Sequence, residues 1–167
     1  MTDKNLYNAI CDGNVEQLKA SMPEDVNAPV PPETTIHPLQ LVFLSGRSTN
    51  SIPIDVVEHL LASGADPNFQ GVAGLPLCLA LRCGHPMEAV ELLISYGADV
   101  NRVEPGGIYA LFLAVKYHSR NTKLIQLLLD AGAELHPAGG RPDLKQLISY
   151  KREGARLRLY ELLGLQA

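Results

Sequence analysis

Short apolar runs alternate with polar, glycine-rich connections along the whole chain. In one run, Leu77, Ala80 and Leu81 recur at spacings of three and four residues, which places them on one face of a helix. The following run, residues 90–94, is apolar on nearly every side and indicates a helix packed among several neighbours. Helices this short are marginal in water, because few hydrogen bonds follow the costly first turn. The pattern therefore predicts pairs of short helices that are stabilised by stacking.

The same pattern recurs at a nearly constant spacing. A Leu-rich run followed by Gly-Ala and an acidic residue occurs three times, with its glycines at Gly64, Gly97 and Gly132, which are 33 and then 35 residues apart. A glycine directly after an apolar run predicts a left-handed residue that ends a helix. Pro-Leu pairs at 38–39 and 76–77 predict helix starts, because proline is tolerated in a first turn where its missing N–H has no partner.

This array resembles the ankyrin-repeat family. The Pro-Leu helix starts, the Gly-Ala-Asp segments and an Asn after each of the first three copies carry the resemblance, which covers roughly residues 4–163. It implies an all-α solenoid of stacked helix–turn–helix pairs with hairpin-like loops, in a single domain over residues 1–167. The expected division is an N-terminal cap repeat at 3–27, full repeats at 28–68, 69–101 and 102–136, and a C-terminal cap helix pair at 137–164.

Departures from the family pattern have structural consequences. The family's Thr-Pro-Leu-His segment is nowhere complete: its first position holds His37, Leu75 and Tyr109, and its last holds Gln40, Cys78 and Phe112. Because that Thr and His normally brace the turn by hydrogen bonds, their loss predicts lower local stability than in a consensus array. The second copy also carries extra residues, which predict a polar loop at 46–53 between its two helices.

Composition and charge narrow the range of functions. The 167 residues are 46% hydrophobic and 19% charged, which is typical of a globular domain. The net charge of −4 argues against nucleic acid as the main ligand. Residues 141–158 hold six basic and two acidic residues, whereas the rest of the chain holds eight basic and sixteen acidic ones. The acidic body suggests a basic partner, and solvated helix faces are the alternative explanation.

The compartment follows from features that the sequence lacks. Residues 1–20 show no secretory signal, and no apolar run approaches the ~18 residues of a membrane span. The three cysteines, Cys11, Cys78 and Cys83, are odd in number. We therefore expect a cytoplasmic protein in a reducing environment, monomeric when free and not bound to a membrane. Delivery by a secretion system as an effector would leave the same sequence.

Candidate catalytic and metal-binding sets are weak. Cys78 and Cys83 have no second cysteine pair to complete a zinc site, and Cys78 is expected to be a small buried hydrophobe. Asp55 and His59 lie four residues apart, but no nucleophile is in register with them, so the spacing predicts a surface ion pair. We expect no cofactor, no metal and no enzymatic activity.

The resemblance also implies where a partner protein binds, because ligands of ankyrin arrays usually contact the hairpin tips and the exposed side of the first helices. The matching positions in this chain are Leu44, Ser45, Arg82, Cys83, Lys116 and Tyr117 at the first-helix ends, and Ile36, Val72 and Ile108 in the hairpins. Apolar residues grouped on an exposed face favour an interface. Alternatively, the three hairpin residues fold back onto neighbouring hairpins.

The sequence therefore predicts a protein–protein interaction module that acts as an adaptor or inhibitor through its concave face and hairpin tips. Two narrower alternatives remain open: an immunity-type protein that neutralises a cognate toxin or enzyme, and a microbial effector that binds a host protein. A structural fragment of a longer scaffold is a further possibility, against which the cap-like ends argue, since a fragment would expose an apolar repeat face. Family membership alone is an associational argument for binding.

Overall fold

The computed structural model describes residues 2–30, 36–49, 52–141 and 143–166. The chain forms two compact units, Met1–Ala98 and Asp99–Ala167. In these residues the secondary structure is helical apart from one isolated bridge between Gly71 and Gly74, which confirms the all-α prediction. The helices are α1 (Thr2–Asp12), α2 (Val15–Ser21), α3 (Pro38–Thr49), α4 (Ile54–Ala62), α5 (Pro76–Cys83), α6 (Met87–Ser95), α7 (Ala110–Tyr117), α8 (Thr122–Asp130), α9 (Leu144–Ser149) and α10 (Glu153–Leu162).

The first unit consists of three consecutive helix pairs in two layers. The first helix of each pair packs beside its equivalent, α1 against α3 and α3 against α5, and the second helices α2, α4 and α6 pack in the same order. Leu77, Ala80 and Leu81 are buried on α5, as their spacing predicts. Neither layer could bury its apolar face alone, so the core is continuous from pair to pair.

The second unit contains the remaining two pairs. The first helices α7 and α9 pack together, and α10 packs against both α8 and α9. Tyr109 is buried just before α7, and its hydroxyl donates a hydrogen bond of 2.9 Å to the Leu135 carbonyl. Burial, with a smaller contribution from the negative charge of Asp143, raises the pKa of Tyr109 to about 12. The phenol is therefore a neutral donor throughout the physiological range.

Helix ends follow the local rules that the sequence predicts. α3 and α5 begin at the prolines of their Pro-Leu pairs. Gly64, Gly97 and Gly132, each two residues past a second helix, take φ values of 94°, 89° and 87°, a left-handed conformation that favours glycine. No helix in the described ranges has the length and apolar character needed to cross a membrane.

The predicted loop at 46–53 is wrong in its first half. α3 continues to Thr49 and has 12 residues, whereas α5 and α7 have 8 each. A glycine ends a helix only where the backbone turns to positive φ, and at Gly46 the backbone stays helical. The extra residues therefore lengthen α3 by about one turn. Positions 50 and 51 of the predicted loop lie outside the described residues, and α4 follows with Pro53 as its N-cap.

Asparagines in the connections tie consecutive repeats together within each unit. The Asn27 side chain donates 3.1 Å to the Gly64 carbonyl and accepts 2.8 Å from the Asp66 N–H. Asn101 repeats this arrangement in the second unit, donating 2.9 Å to the Gly132 carbonyl and accepting 2.7 Å from the Glu134 N–H. The carbonyl of each helix-ending glycine thus accepts a hydrogen bond from an asparagine of the preceding repeat.

Two residues at the family's Thr and His positions supply hydrogen bonds of their own. Gln40 stands where the family has His, is completely buried, and donates from Nε2 to the carbonyl of Gly74 in the next hairpin. Tyr109 stands at the Thr position and makes the bond to Leu135 described above. At these two places the bracing is therefore present, but different side chains provide it.

Candidate functional site

We use the term first-helix surface for the predicted binding residues on the first helices, which are Leu44, Ser45, Arg82 and Cys83 in the first unit and Lys116 and Tyr117 in the second. The prediction that Leu44 and Ser45 end their helix is wrong, because α3 continues past them to Thr49, whereas the other four residues do lie at the ends of α5 and α7. In the first unit the middle of α3 and the end of α5 are joined by His85, whose Nε2 lies 2.7 Å from the Phe43 carbonyl. Since Phe43 precedes Leu44 and His85 follows the end of α5, this contact holds the two parts of the surface side by side. Leu44, Ser45 and Cys83 are half-buried, and Arg82 is exposed.

The imidazole that makes this junction is itself buried. Burial lowers the pKa of His85, and the hydrogen bond with the Phe43 carbonyl opposes that shift only in part. His85 is therefore held in its neutral form, with its Nε2–H as the donor to the carbonyl. Protonation of His85 is therefore unfavourable in the folded protein, because the cost of burying the charged ring exceeds what its hydrogen bond to the Phe43 carbonyl recovers.

The described hairpin at residues 71–74 of the first unit presents a strongly exposed apolar residue. Val72 is 78% exposed at the tip of the turn that the Gly71–Gly74 bridge closes. Gly71 lies so close to the Gln40 side chain that a Cβ there would be 2.7 Å from Oε1, so any larger residue would have to displace the Gln40 amide. Ile36 is half-buried, and its carbonyl accepts 2.8 Å from the Val30 N–H.

The hairpin of the second unit is closed in a similar way. The Glu104 N–H donates 2.7 Å to the carbonyl of Ile108, which is half-buried like Ile36. The Arg141 N–H donates 3.1 Å to the Gly107 carbonyl and so ties this hairpin to the next connection. Ile108 thus lies at the base of its hairpin, whereas Val72 projects from the tip of its own.

In the second unit, the end of α7 is aromatic and cationic. Tyr117 is 50% exposed, and the Lys116 ammonium lies 5.0 Å from the centroid of its ring, within the range of a cation–π interaction. The Lys151 ammonium donates 3.0 Å to the Lys116 carbonyl, and partial burial lowers the pKa of Lys151. A cation at the last carbonyls of α7 is also favoured by the helix dipole.

Tyr150 is a residue of this surface that the sequence interpretation missed. It follows α9 directly and is 78% exposed, and α9 packs beside α7. The signal was present, because Tyr150 lies 33 residues after Tyr117, which is one repeat length. It was missed because residues 137–164 were interpreted as a terminal cap and were not searched for binding positions.

The other candidate sites have different outcomes. Cys78 is only 1% exposed, which confirms that it is a buried hydrophobe.

The predicted ion pair between Asp55 and His59 is wrong, since the two are not within ion-pair distance in the described structure. Such exposed pairs gain ~1 kcal/mol at most, which does not outweigh the cost of ordering both side chains. Among the described residues, no three His, Cys, Asp or Glu side chains are grouped closely enough to hold a metal ion.

Comparison with known proteins supports the repeat assignment. A family model described as ankyrin repeats (3 copies) matches residues 47–138. The ARF GTPase-activating protein Git of Drosophila melanogaster is 37% identical over 75 residues, which are 44% of this chain and 10% of Git. The chain thus spans about a tenth of the length of this relative, and the similarity is confined to one segment of it.

Proposed function

The chain belongs to the ankyrin-repeat family, and from that premise we propose that it is a non-enzymatic adaptor or inhibitor that binds another protein through its first-helix surface and hairpin tips. Ankyrin repeats generally mediate protein–protein interaction, and the family is typically non-enzymatic. Git is named for GTPase activation, and we do not transfer that activity to this chain, because the chain covers only a tenth of Git.

One observation carries the choice of surface. Five large apolar or aromatic side chains of the described residues are exposed, and Val72, Tyr117 and Tyr150 among them lie at a hairpin tip or a first-helix end. Exposed aromatic rings are costly to leave in water and are enriched at binding hot spots. Tyr96 and Leu157, the other two, lie on the layer of second helices.

The proposal therefore gives the contact residues different weights. Val72, Tyr117 and Tyr150 supply most of the apolar contact area. Leu44 is half-buried and supplies a smaller part of it. Ile36 and Ile108 support their hairpins and touch the partner less, because both are half-buried. Lys116 adds exposed positive charge beside Tyr117, and Arg82 adds exposed positive charge at the end of α5.

Charge suggests which side of a partner faces the first unit. Met1–Ala98 holds eleven acidic and four basic residues, a net charge of −7, whereas Asp99–Ala167 holds seven acidic and ten basic ones, a net charge of +3. We propose that a basic part of the partner faces the first unit, because opposite charges steer association. The association rate should then fall steeply as salt is added.

The proposal can be tested with two matched double variants used as baits in affinity capture from the native cell. L44E/Y117E alters the first-helix surface, and Y96E/L157E alters one exposed Tyr and one Leu of the second helices. Both variants lose one Leu and one Tyr and gain two negative charges, so their changes in composition and charge are the same while the face that they change is different. We expect at least one protein to be retained by the wild type and by Y96E/L157E and to be lost by L44E/Y117E.

Each captured protein is then measured against the three purified baits by calorimetry, with circular dichroism confirming that all are folded. Equal affinity for both double variants would contradict the first-helix surface. Loss of binding only in Y96E/L157E would place the interface on the second helices instead.

A further inference from the structure

A cavity in the second unit contains three arginines. It has a volume of about 330 Å³ and lies where the turn after α7 meets the start of α10. This volume is at the low end of the range for small-ligand pockets. Its lining consists of Ser119, Arg120, Arg152, Gly154, Ala155 and Arg158.

The positive charges of this cavity are not neutralised by the chain. Over the described ranges, no carboxylate lies within 4.0 Å of a guanidinium nitrogen of Arg120, Arg152 or Arg158. The Arg158 Nε donates 3.0 Å to the Gly154 carbonyl, which folds this guanidinium back over the start of its own helix. All three arginine side chains are exposed to solvent, so an anion that binds in the cavity meets guanidinium groups with which no described carboxylate forms an ion pair.

The start of α10 adds backbone donors to the same cavity. Arg152 is the N-cap residue, and its side chain makes no capping hydrogen bond. Arginine has no side-chain acceptor to offer, so the chain leaves the N–H groups of Glu153 and Gly154 in the first turn without a cap. Gly154 has no Cβ, and the nearest atom to the place a Cβ would occupy is an Arg158 nitrogen 3.9 Å away. A ligand can therefore approach the backbone closely there.

We propose that this cavity binds a phosphate monoester dianion. Guanidinium groups bind phosphate oxygens in a bidentate manner, and the N-terminus of a helix favours an anion at its exposed N–H groups. A single carboxylate would leave most of the positive charge uncompensated, whereas a dianion matches it better. The phosphate can belong to a phosphorylated side chain of a bound protein or to a small phosphorylated molecule. The proposal does not depend on the first-helix surface and stands if that surface binds nothing.

The first test is a titration of the ¹⁵N-labelled full chain with inorganic phosphate, followed by amide chemical shifts at constant ionic strength, with chloride as the reference salt. We expect saturable shifts centred on the Glu153 and Gly154 amides. R120Q/R158Q should bind phosphate about tenfold more weakly or worse, since each lost guanidinium removes charge-assisted hydrogen bonds. The matched control R102Q/R141Q loses the same charge from exposed arginines outside the cavity and should bind like the wild type.

A second set of probes identifies the source of the phosphate. Short peptides of identical sequence carrying phosphoserine, glutamate or serine at the central position are compared with glucose 6-phosphate. Tighter binding of the phosphoserine peptide would indicate a phosphorylated protein segment, and tighter binding of glucose 6-phosphate would indicate a small molecule; both support the site.

Two results would overturn the proposal. The first is that the wild-type shifts do not saturate or are spread over the surface, which decides the matter even if R120Q/R158Q fails to fold. The second is that the glutamate peptide binds as tightly as the phosphoserine peptide, because the cavity would then be a carboxylate site.

Discussion

Gln40 should hold the hairpin at residues 71–74 in place, and replacing it with Leu tests how strongly it does so. The side chain is completely buried and donates from Nε2 to the Gly74 carbonyl, 34 residues further along the chain. Leucine has a similar volume and no hydrogen-bonding groups, so Q40L removes the bond while keeping most of the packing. The hairpin that would be released carries Val72 of the proposed binding surface.

The magnitude follows from the partner that is left behind. A buried carbonyl that loses its donor costs about 1–3 kcal/mol; the Gly74 carbonyl is only partly buried and leucine is more apolar than glutamine, so both reduce that cost. We therefore expect Q40L to lower the free energy of unfolding by about 1–2 kcal/mol, which is the lower part of the range for a lost donor. In a protein of this length, each kcal/mol lowers Tm by about 2–4 °C.

The assay combines urea denaturation, followed by circular dichroism, with amide hydrogen exchange at Gly74. The Gly74 N–H donates 3.1 Å to the Gly71 carbonyl, so its exchange reports directly on the hairpin. Q70L is the matched control, because Gln70 is exposed and undergoes the same chemical change. We expect Q70L to stay within about 0.5 kcal/mol of the wild type.

The result that would refute this reasoning is equality of the two variants. If Q40L and Q70L unfold at the same urea concentration and the Gly74 amide exchanges equally fast in both, the Gln40 bond contributes nothing to the hairpin. The loss of the family's His would then lower local stability, as the sequence predicts. A fall in partner affinity for Q40L, but not for Q70L, would in turn link the hairpin to binding.

Two further predictions concern backbone strain and pH. G107A should be less stable than G106A. Both positions have positive φ, but only a Cβ at Gly107 would meet Arg141, at 2.8 Å from its backbone N. We expect urea denaturation to show that G107A loses about 1 kcal/mol or more beyond the loss that both variants share, and equal losses would contradict the close contact. Burial lowers the pKa of His85 in the fold, so the unfolded chain binds the proton more tightly than the folded chain does. The neutral form of His85 therefore stabilises the fold fully above the usual pKa of 6.5, and this contribution is lost as the pH falls towards the pKa of the folded state. The urea midpoint of the wild type should therefore fall more than that of H85Q between pH 7.5 and 5.5, and parallel curves would exclude His85 as the cause.

The elements themselves could be predicted because they depend on neighbours in sequence. Proline fits the first turn of α5, glycine takes the left-handed conformation after α6, and spacings of three and four residues define the buried face between them. These rules act within a few residues, so a single sequence contains them. The same locality explains the error at α3, since a glycine does not end a helix where the backbone stays helical.

Only the tertiary structure shows what depends on residues far apart in the sequence. The bond from Gln40 to Gly74 needs the next hairpin to lie against α3, and the arginine cavity needs the turn after α7 to meet the start of α10. Tyr150 lies between these cases, because the 33-residue repeat length points to its position, but only the tertiary structure shows that it is exposed on the helix that packs beside α7. The local sequence pattern thus determines the repeating helices. The grouping of charges, the hydrogen bonds between repeats and the exposure of side chains depend on how those helices pack, because each requires another segment to lie in contact.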